Sequence, residues 1–165
     1  MRIGRAQAII IEDNKILFGY GNIGGKLRHF FIGGGIEVGE TACEAVLREV
    51  SEEINVKGKI IFEFRKEVSE KHFTFLIDIG KEKCTLGHDP EEAEWEKKCL
   101  TLQQLVWIPF SDKERFTPID KAHFMIFIEE CIERKLNPEA FSTFIYIICV
   151  IFINIITVLK EANVF

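Results

Sequence analysis

The chain has 165 residues, 47% of them hydrophobic and 12% aromatic, with a formal charge of −5 and a pI near 5.5. That is enough for one domain with a sizeable core, too apolar for a disordered chain, and too acidic to present a broad basic face to long RNA or DNA. The five cysteines, Cys43, Cys84, Cys99, Cys131 and Cys149, are odd in number and contain no C-x-x-C pair. They indicate neither a disulfide framework nor a structural zinc site, and they suit a reducing cytosol.

The opening MRIGRAQAIIIEDN has an apolar run too short and too soon charged for a signal peptide, which predicts that the domain is not secreted. Residues 5–20 read as a hairpin, two β-branched apolar runs around the turn residues Glu12-Asp13-Asn14. Gly21, Gly24 and Gly25 mark a loop, and a short strand from His29 to Ile32 leads into a glycine-rich loop. Arg28, just upstream, is a candidate contact for substrate. His29 is more naturally a strand-surface residue.

The stretch from Gly33 to Val56 reads as that loop followed by a helix, with Thr41 as N-cap and Glu44 closing a capping box. At about 100° per residue, Cys43, Val46, Leu47, Val50 and Ile54 share one side, and Glu49, Glu52 and Glu53 share the other. Like charges so spaced repel unless a cation sits among them. A hard divalent ion such as Mg²⁺, which takes oxygen ligands and is commonly shared with substrate phosphates, suits the cluster.

Two further strands are predicted over Lys59 to Phe64 and His72 to Ile79, both rich in aromatic and β-branched residues. Residues 81–98 turn polar and acidic, a loop at least at its start, and LQQLVWIPF resumes a strand whose Pro109 places its end at a sheet edge. Thr117-Pro118 starts a helix predicted to run to about Lys135, with Phe124, Ile128, Cys131 and Ile132 inward and Glu129, Glu130 and Glu133 on the opposite side. The domain is therefore expected over residues 1–136, with residues 137–165 as an apolar C-terminal segment. Residues 141–159 carry no charge over 19 residues, long enough at about 1.5 Å per residue to cross most of a bilayer core. A membrane anchor, a buried helix packed on the domain and a tail acquired by a change of reading frame all fit that composition. If the segment spans, Arg134 and Lys135 before it put the domain on the cytoplasmic side.

The helix and its loop resemble the Nudix box. Gly34, Glu40, Arg48, Glu49, Val50, Glu52, Glu53 and Val56 stand in register with it, and Asn55 occupies the position where the pattern has Gly. Asn is the residue next most tolerant of a left-handed backbone, so the turn ending the helix is expected to form. Ile32 stands where many members have Pro. The resemblance implies an α+β Nudix fold, a mixed β-sheet between α-helices, and metal-dependent cleavage of a nucleoside diphosphate linked to another group. The substrate is then a nucleoside triphosphate, a nucleotide-sugar or a dinucleotide.

It further implies Mg²⁺, or Mn²⁺, held by Glu52 and Glu53 with Glu49 as ligand or base. Arg48 orders the glutamates, the Gly34 backbone lies close to the metal, and Glu40 fixes the loop. In many members a later loop supplies one more acid, for which Glu92 and Glu94 are the candidates. Trp95 or Trp107 would be available to stack on a base. The rival reading is a non-catalytic Nudix-like domain that binds or senses a nucleotide, in which the glutamates would be eroded. A small-molecule nucleotide is the expected partner in a cytoplasmic setting. Homodimerisation and membrane contact through residues 141–159 are compatible with the sequence.

Overall fold

The structure, a computed structural model, describes residues 3–67, 69–87 and 101–134. Strand β1 (Arg5–Glu12) turns at Asp13 and Asn14, both with positive φ, into β2 (Lys15–Ile23). Only the pairs Ile11↔Ile16 and Glu12↔Lys15 join the two strands, because the rest of β1 is taken by other partners. One is β4 (Ile32–Gly35), antiparallel, and the other is β6 (His72–Asp78), parallel from Arg5↔His72 to Ile10↔Ile77. Strand β5 (Lys59–Glu63) extends that side. On the other side β2 carries β3 (Lys26–Phe30) and β7 (Gln104–Pro109), so the sheet is mixed, as expected.

Two readings of the glycine-rich region are corrected. Gly21 belongs to β2, and the loop is the tight Gly24-Gly25 turn, where both residues have positive φ. The expected strand from His29 to Ile32 is two strands parting at Phe31, β3 following β2 and β4 crossing to β1, so Gly33 to Gly35 are strand residues that accept and donate ladder bonds.

Helix α1 (Ala42–Ile54) covers one face and α2 (Pro118–Glu133) the other. Alternation along β1 sends Ala6, Ala8 and Ile10 toward Val46, Val50 and Ile54 of α1, and Ile9 toward the core shared with Phe124, Phe127 and Ile128 of α2. Both helices start with the expected Thr cap, and each cap forms a reciprocal box, Thr41 with Glu44 and Thr117 with Asp120. Such a cap contributes about 1 kcal/mol. On α1, Cys43 is exposed, and Ala45 takes the buried place assigned to it. Glu130 was expected on the solvent side of α2 and is instead 1% exposed, accepting from the Arg65 and Lys66 backbone N–H groups and from Arg134 Nε at 2.7, 3.2 and 3.1 Å. Three donors around one carboxylate make its burial tolerable. No helix among the described residues is long and apolar enough to cross a membrane. Residues 141–159, Glu92, Glu94, Trp95, Cys99 and Cys149 lie outside the described residues.

Candidate active site

From Arg48 to Glu53 the second half of α1 faces β4, and Arg48 is the hub between helix, strand and the loop that carries Glu40. Its Nη1 donates to Glu49 Oε1 at 2.9 Å and to Glu52 Oε2 at 3.0 Å. Its Nη2 donates to Glu40 Oε1 at 2.8 Å and to the Gly35 carbonyl at 3.0 Å, and its Nε to Glu40 Oε2 at 3.2 Å. The Glu40 contact is the bidentate fork that a guanidinium makes best. It fixes the loop, since Glu40 Oε1 also accepts from the Glu37 N–H at 2.7 Å. One planar cation therefore aligns three carboxylates that would otherwise repel.

Glu53 points the other way round the helix and accepts from the Gly33 N–H at 2.8 Å. The turn of α1 thus sets Glu49 and Glu53 against β4, where Gly34 leaves room for the Glu49 carboxylate, with Glu52 beside them on Arg48. A Cβ on Gly34 would fall 2.2 Å from Glu49 Oε1, closer than any side chain permits. Gly33 has φ +139, and a Cβ there would meet the Ala6 carbonyl at 2.3 Å. Gly34 is required because helix and strand approach through the Glu49 carboxylate, and Gly33 because of its positive φ and its close approach to the β1 backbone.

The electrostatics follow the burial. The Glu49 side chain is 14% exposed, against 39% for Glu52. Burial pushes the Glu49 carboxyl above its ordinary range, with Arg48 and, more weakly, Arg5 pulling it back. Glu40 lies below its ordinary range because Arg48 bonds it directly. Arg48 is made a still firmer cation, first by Glu40 and then by Glu49.

The remaining expected residues fall elsewhere. Arg28 is exposed on β3, its guanidinium turned back to the Ile23 carbonyl at 2.9 Å, and no contact among the described residues joins it to the acids. His29 packs its ring near Tyr20 and Phe18, with centroids 5.1 and 6.1 Å apart, and is kept from protonating chiefly by burial and then by Arg115. Trp107 packs against the α1-side core.

Asn55, the departure from the motif, has φ 55 and ψ 35, the left-handed conformation expected of it. It adds something a glycine would not. Its Nδ2 donates to Thr85 Oγ1 and to the Leu86 carbonyl, both at 3.2 Å, while Thr85 N and Gly87 N donate to the carbonyls of Ile54 and Glu53 at 3.1 and 2.8 Å. Residues 85–87 thereby satisfy the open end of the helix.

Two arrangements were missed from sequence. Arg5 Nη2 donates to the Gly33 carbonyl at 2.8 Å. On the α2 face lies a buried polar cluster. Gln7 Nε2 bonds Thr74 Oγ1 at 3.1 Å and His123 Nε2 at 2.5 Å, and its Oε1 meets His72 Nε2 at 2.7 Å. Both rest on strand pairings between β1 and distant segments, for which local spacing carries no signal.

The donors available for a metal are hard carboxylate oxygens with a backbone carbonyl beside them. Mg²⁺ and Mn²⁺ favour that chemistry over soft ligands. Among the described residues, no three His, Cys, Asp or Glu side chains already converge in coordinating geometry, since Glu49 and Glu52 are turned to Arg48 and Glu53 to Gly33. The acids fit a metal by donor type and by the cleared space at Gly34, with Arg48 as the internal cation that holds them meanwhile.

A family model described as NUDIX domain matches residues 2–125. Among solved structures, the chain is similar to a NUDIX hydrolase from Nitrosomonas europaea at 17% identity and TM-score 0.57, over 77% of this chain and 88% of that one. It is similar to the ORF135 protein of E. coli at 20% identity and TM-score 0.56, over 81% and 94%. A bifunctional NMN adenylyltransferase/ADP-ribose pyrophosphatase from Francisella tularensis, complexed with AMP and a Mn ion, aligns at 18% identity and TM-score 0.51, over 79% of this chain and 43% of that one. At these identities the likeness is one of fold. No curated protein sequence matches the chain.

Proposed function

Because the chain belongs to the NUDIX family, hydrolases of pyrophosphate bonds, we propose that it is a divalent-metal-dependent pyrophosphohydrolase. Its substrate would be a small nucleoside diphosphate derivative, split by attack of water on phosphorus. The observation that carries this reading is the ordered carboxylate set beside β4, Glu49 and Glu52 held by Arg48, Glu53 by the Gly33 N–H, with Gly34 leaving room for Glu49. A domain that only bound nucleotides would have no need to retain three mutually repelling acids at the cost of stability.

Glu52 and Glu53 are the residues that would hold Mg²⁺ or Mn²⁺, with the Gly34 backbone close by as the resemblance implies. Bound there, the ion would neutralise phosphate oxygens and lower the pKa of a water. Glu49 is the group that would take or hold the water's proton. Its burial raises its proton affinity toward what a base needs, and its bond to Arg48 keeps its second oxygen aimed away from the guanidinium. Arg48 and Glu40 do not touch substrate in this reading. They hold the acids and the loop in register, so that little reorganisation remains when charge develops at phosphorus. The Mn ion and AMP belong to the Francisella protein, and they support an adenine nucleotide linked through pyrophosphate as the first substrate to try. The free thiols among the described residues, Cys43, Cys84 and Cys131, support a reducing compartment.

The test is phosphate release, directly or after phosphatase coupling, from a panel of nucleoside triphosphates, ADP-ribose, NADH and dinucleoside polyphosphates, with Mg²⁺, with Mn²⁺ and with chelator. Turnover of at least one member that chelator abolishes is the expected result. Nucleotide binding by calorimetry without turnover under any metal would instead assign a sensing domain.

A further inference from the structure

We propose that Arg5 is a positioning residue for Glu53, acting through the Gly33 backbone that both side chains grip. The inference rests on Glu53 being a metal ligand, as proposed above. Gly33 has φ +139 and, like the other two glycines of β4, no side chain to limit its backbone. Two bonds remove that freedom, its N–H given to Glu53 Oε2 at 2.8 Å and its carbonyl taking Arg5 Nη2 at 2.8 Å.

The register explains how Arg5 reaches it. In the β1–β4 pairing Arg5 stands opposite Gly35 and Gln7 opposite Gly33, so the long arginine stem leans two residues along the strand. Strand β1 is in turn fixed by its parallel partner β6. The direction in which Glu53 is held is thus referred, through one peptide on each side of Gly33, to the centre of the sheet. The Arg5 charge is also felt at Glu49, where it favours the ionised form.

Charge and position predict opposite results, which makes the proposal sharp. As a cation that acts on Glu49, Arg5 opposes a divalent ion at the acids, so removing it on charge grounds alone would tighten metal binding. If it positions Glu53, removing it loosens metal binding. The experiment measures Mn²⁺ affinity of the full chain by the loss of the free-ion electron paramagnetic resonance signal, beside kcat and KM, for the parent, Arg5→Met, Arg5→Lys and Glu53→Gln. Arg5→Met is expected to weaken Mn²⁺ binding about tenfold, the scale for losing an outer partner of a metal ligand. Its KM at saturating Mn²⁺ should stay within about twofold, because uniform substrate binding is untouched.

Arg5→Lys keeps the charge but replaces the fixed guanidinium N–H on the Gly33 carbonyl by a mobile ammonium, so it is expected to be impaired in the same direction. It carries the same test should the Met variant fail to fold. Mn²⁺ binding as tight as the parent's, or tighter, in the folded Arg5 variants overturns the proposal. So does a raised KM with unchanged Mn²⁺ affinity, which would make Arg5 a phosphate contact. Equal Mn²⁺ binding by parent and Glu53→Gln would overturn the metal reading of Glu53 itself, a failure the Arg5 variants do not produce alone.

Discussion

Asn55 shows at single-residue scale how a motif position can be met by another residue. Glycine is usual there because the αL backbone is free only to a residue without Cβ, at about 1–2 kcal/mol for most others. Asn bears that conformation and returns hydrogen bonds to Thr85 and Leu86. Asn55→Gly should therefore change stability by no more than about 1 kcal/mol, the lost bonds being offset by relief of the backbone. Asn55→Ala, which loses the bonds and keeps the strain, should cost about 2 kcal/mol. Urea unfolding of the three proteins checks this, and equal midpoints for the Gly and Ala variants would contradict it. The αL turn was legible in the sequence because it is a property of one residue and its spacing. The clasp onto residues 85–87 was not, since nothing in the spacing says that a loop 30 residues on returns to the helix end.

Between elements, the same division holds. Both helices and their caps were readable because a capping box lies within four residues, and β5, β6 and β7 were placed to within a residue or two by their apolar runs, whereas β2 runs on to Ile23 and β3 and β4 read as one strand because glycines masked their ends. What lies across the sheet was not readable. Glu130 looked like one more surface acid, and Gln7 sat unremarked inside an apolar strand, until the β5–β6 turn and β6 brought partners to them. The Gln7 cluster has a consequence for pH. His123 Nδ1 faces the Ile119 carbonyl at 2.9 Å, which as an acceptor requires the proton on Nδ1 and leaves Nε2 to accept from Gln7. His72 then donates from Nε2 to Gln7 and accepts from Ser69 at Nδ1.

Both rings are accordingly held neutral. His123 is kept so by burial, against the Ile119 carbonyl and Asp120, and His72 by burial and then by Arg5 and His123, against Glu67. With folded values below the unfolded value of about 6.5, the unfolded chain takes up more protons in acid. The stabilisation is complete above that pH and is lost as pH falls through it toward the lower folded values. Unfolding free energy should drop between pH 7 and pH 5. A His123→Asn variant, though less stable at pH 7, should show a shallower slope, and an identical slope would remove His123 as a cause.

For the whole molecule, a mixed sheet covered by α1 on one face and α2 on the other accounts for both core clusters within the described residues. The sheet branches at β1, which neighbours β2, β4 and β6 and ties the site strand to the rest. A chain ending at Leu136 is expected to stay folded and to keep its hydrolytic activity, because α2 is already capped at both ends by residue 134. Size-exclusion chromatography and circular dichroism of that shortened chain check it, and precipitation or loss of activity would show that residues 137–165 belong to the core.

The central claim is that the acids of α1 are metal ligands in a hydrolytic site rather than a solvated helix face. Its most direct test is the turnover number of Glu53→Gln under saturating Mg²⁺, with a substrate found by the panel. The substitution keeps the shape of the side chain and removes one charge. A metal-phosphate charge interaction worth several kcal/mol predicts a fall of at least about two orders of magnitude with an unchanged circular dichroism spectrum. Turnover within about threefold of the parent, in a folded protein, would contradict the account, since a lost ligand cannot cost less than about 1 kcal/mol.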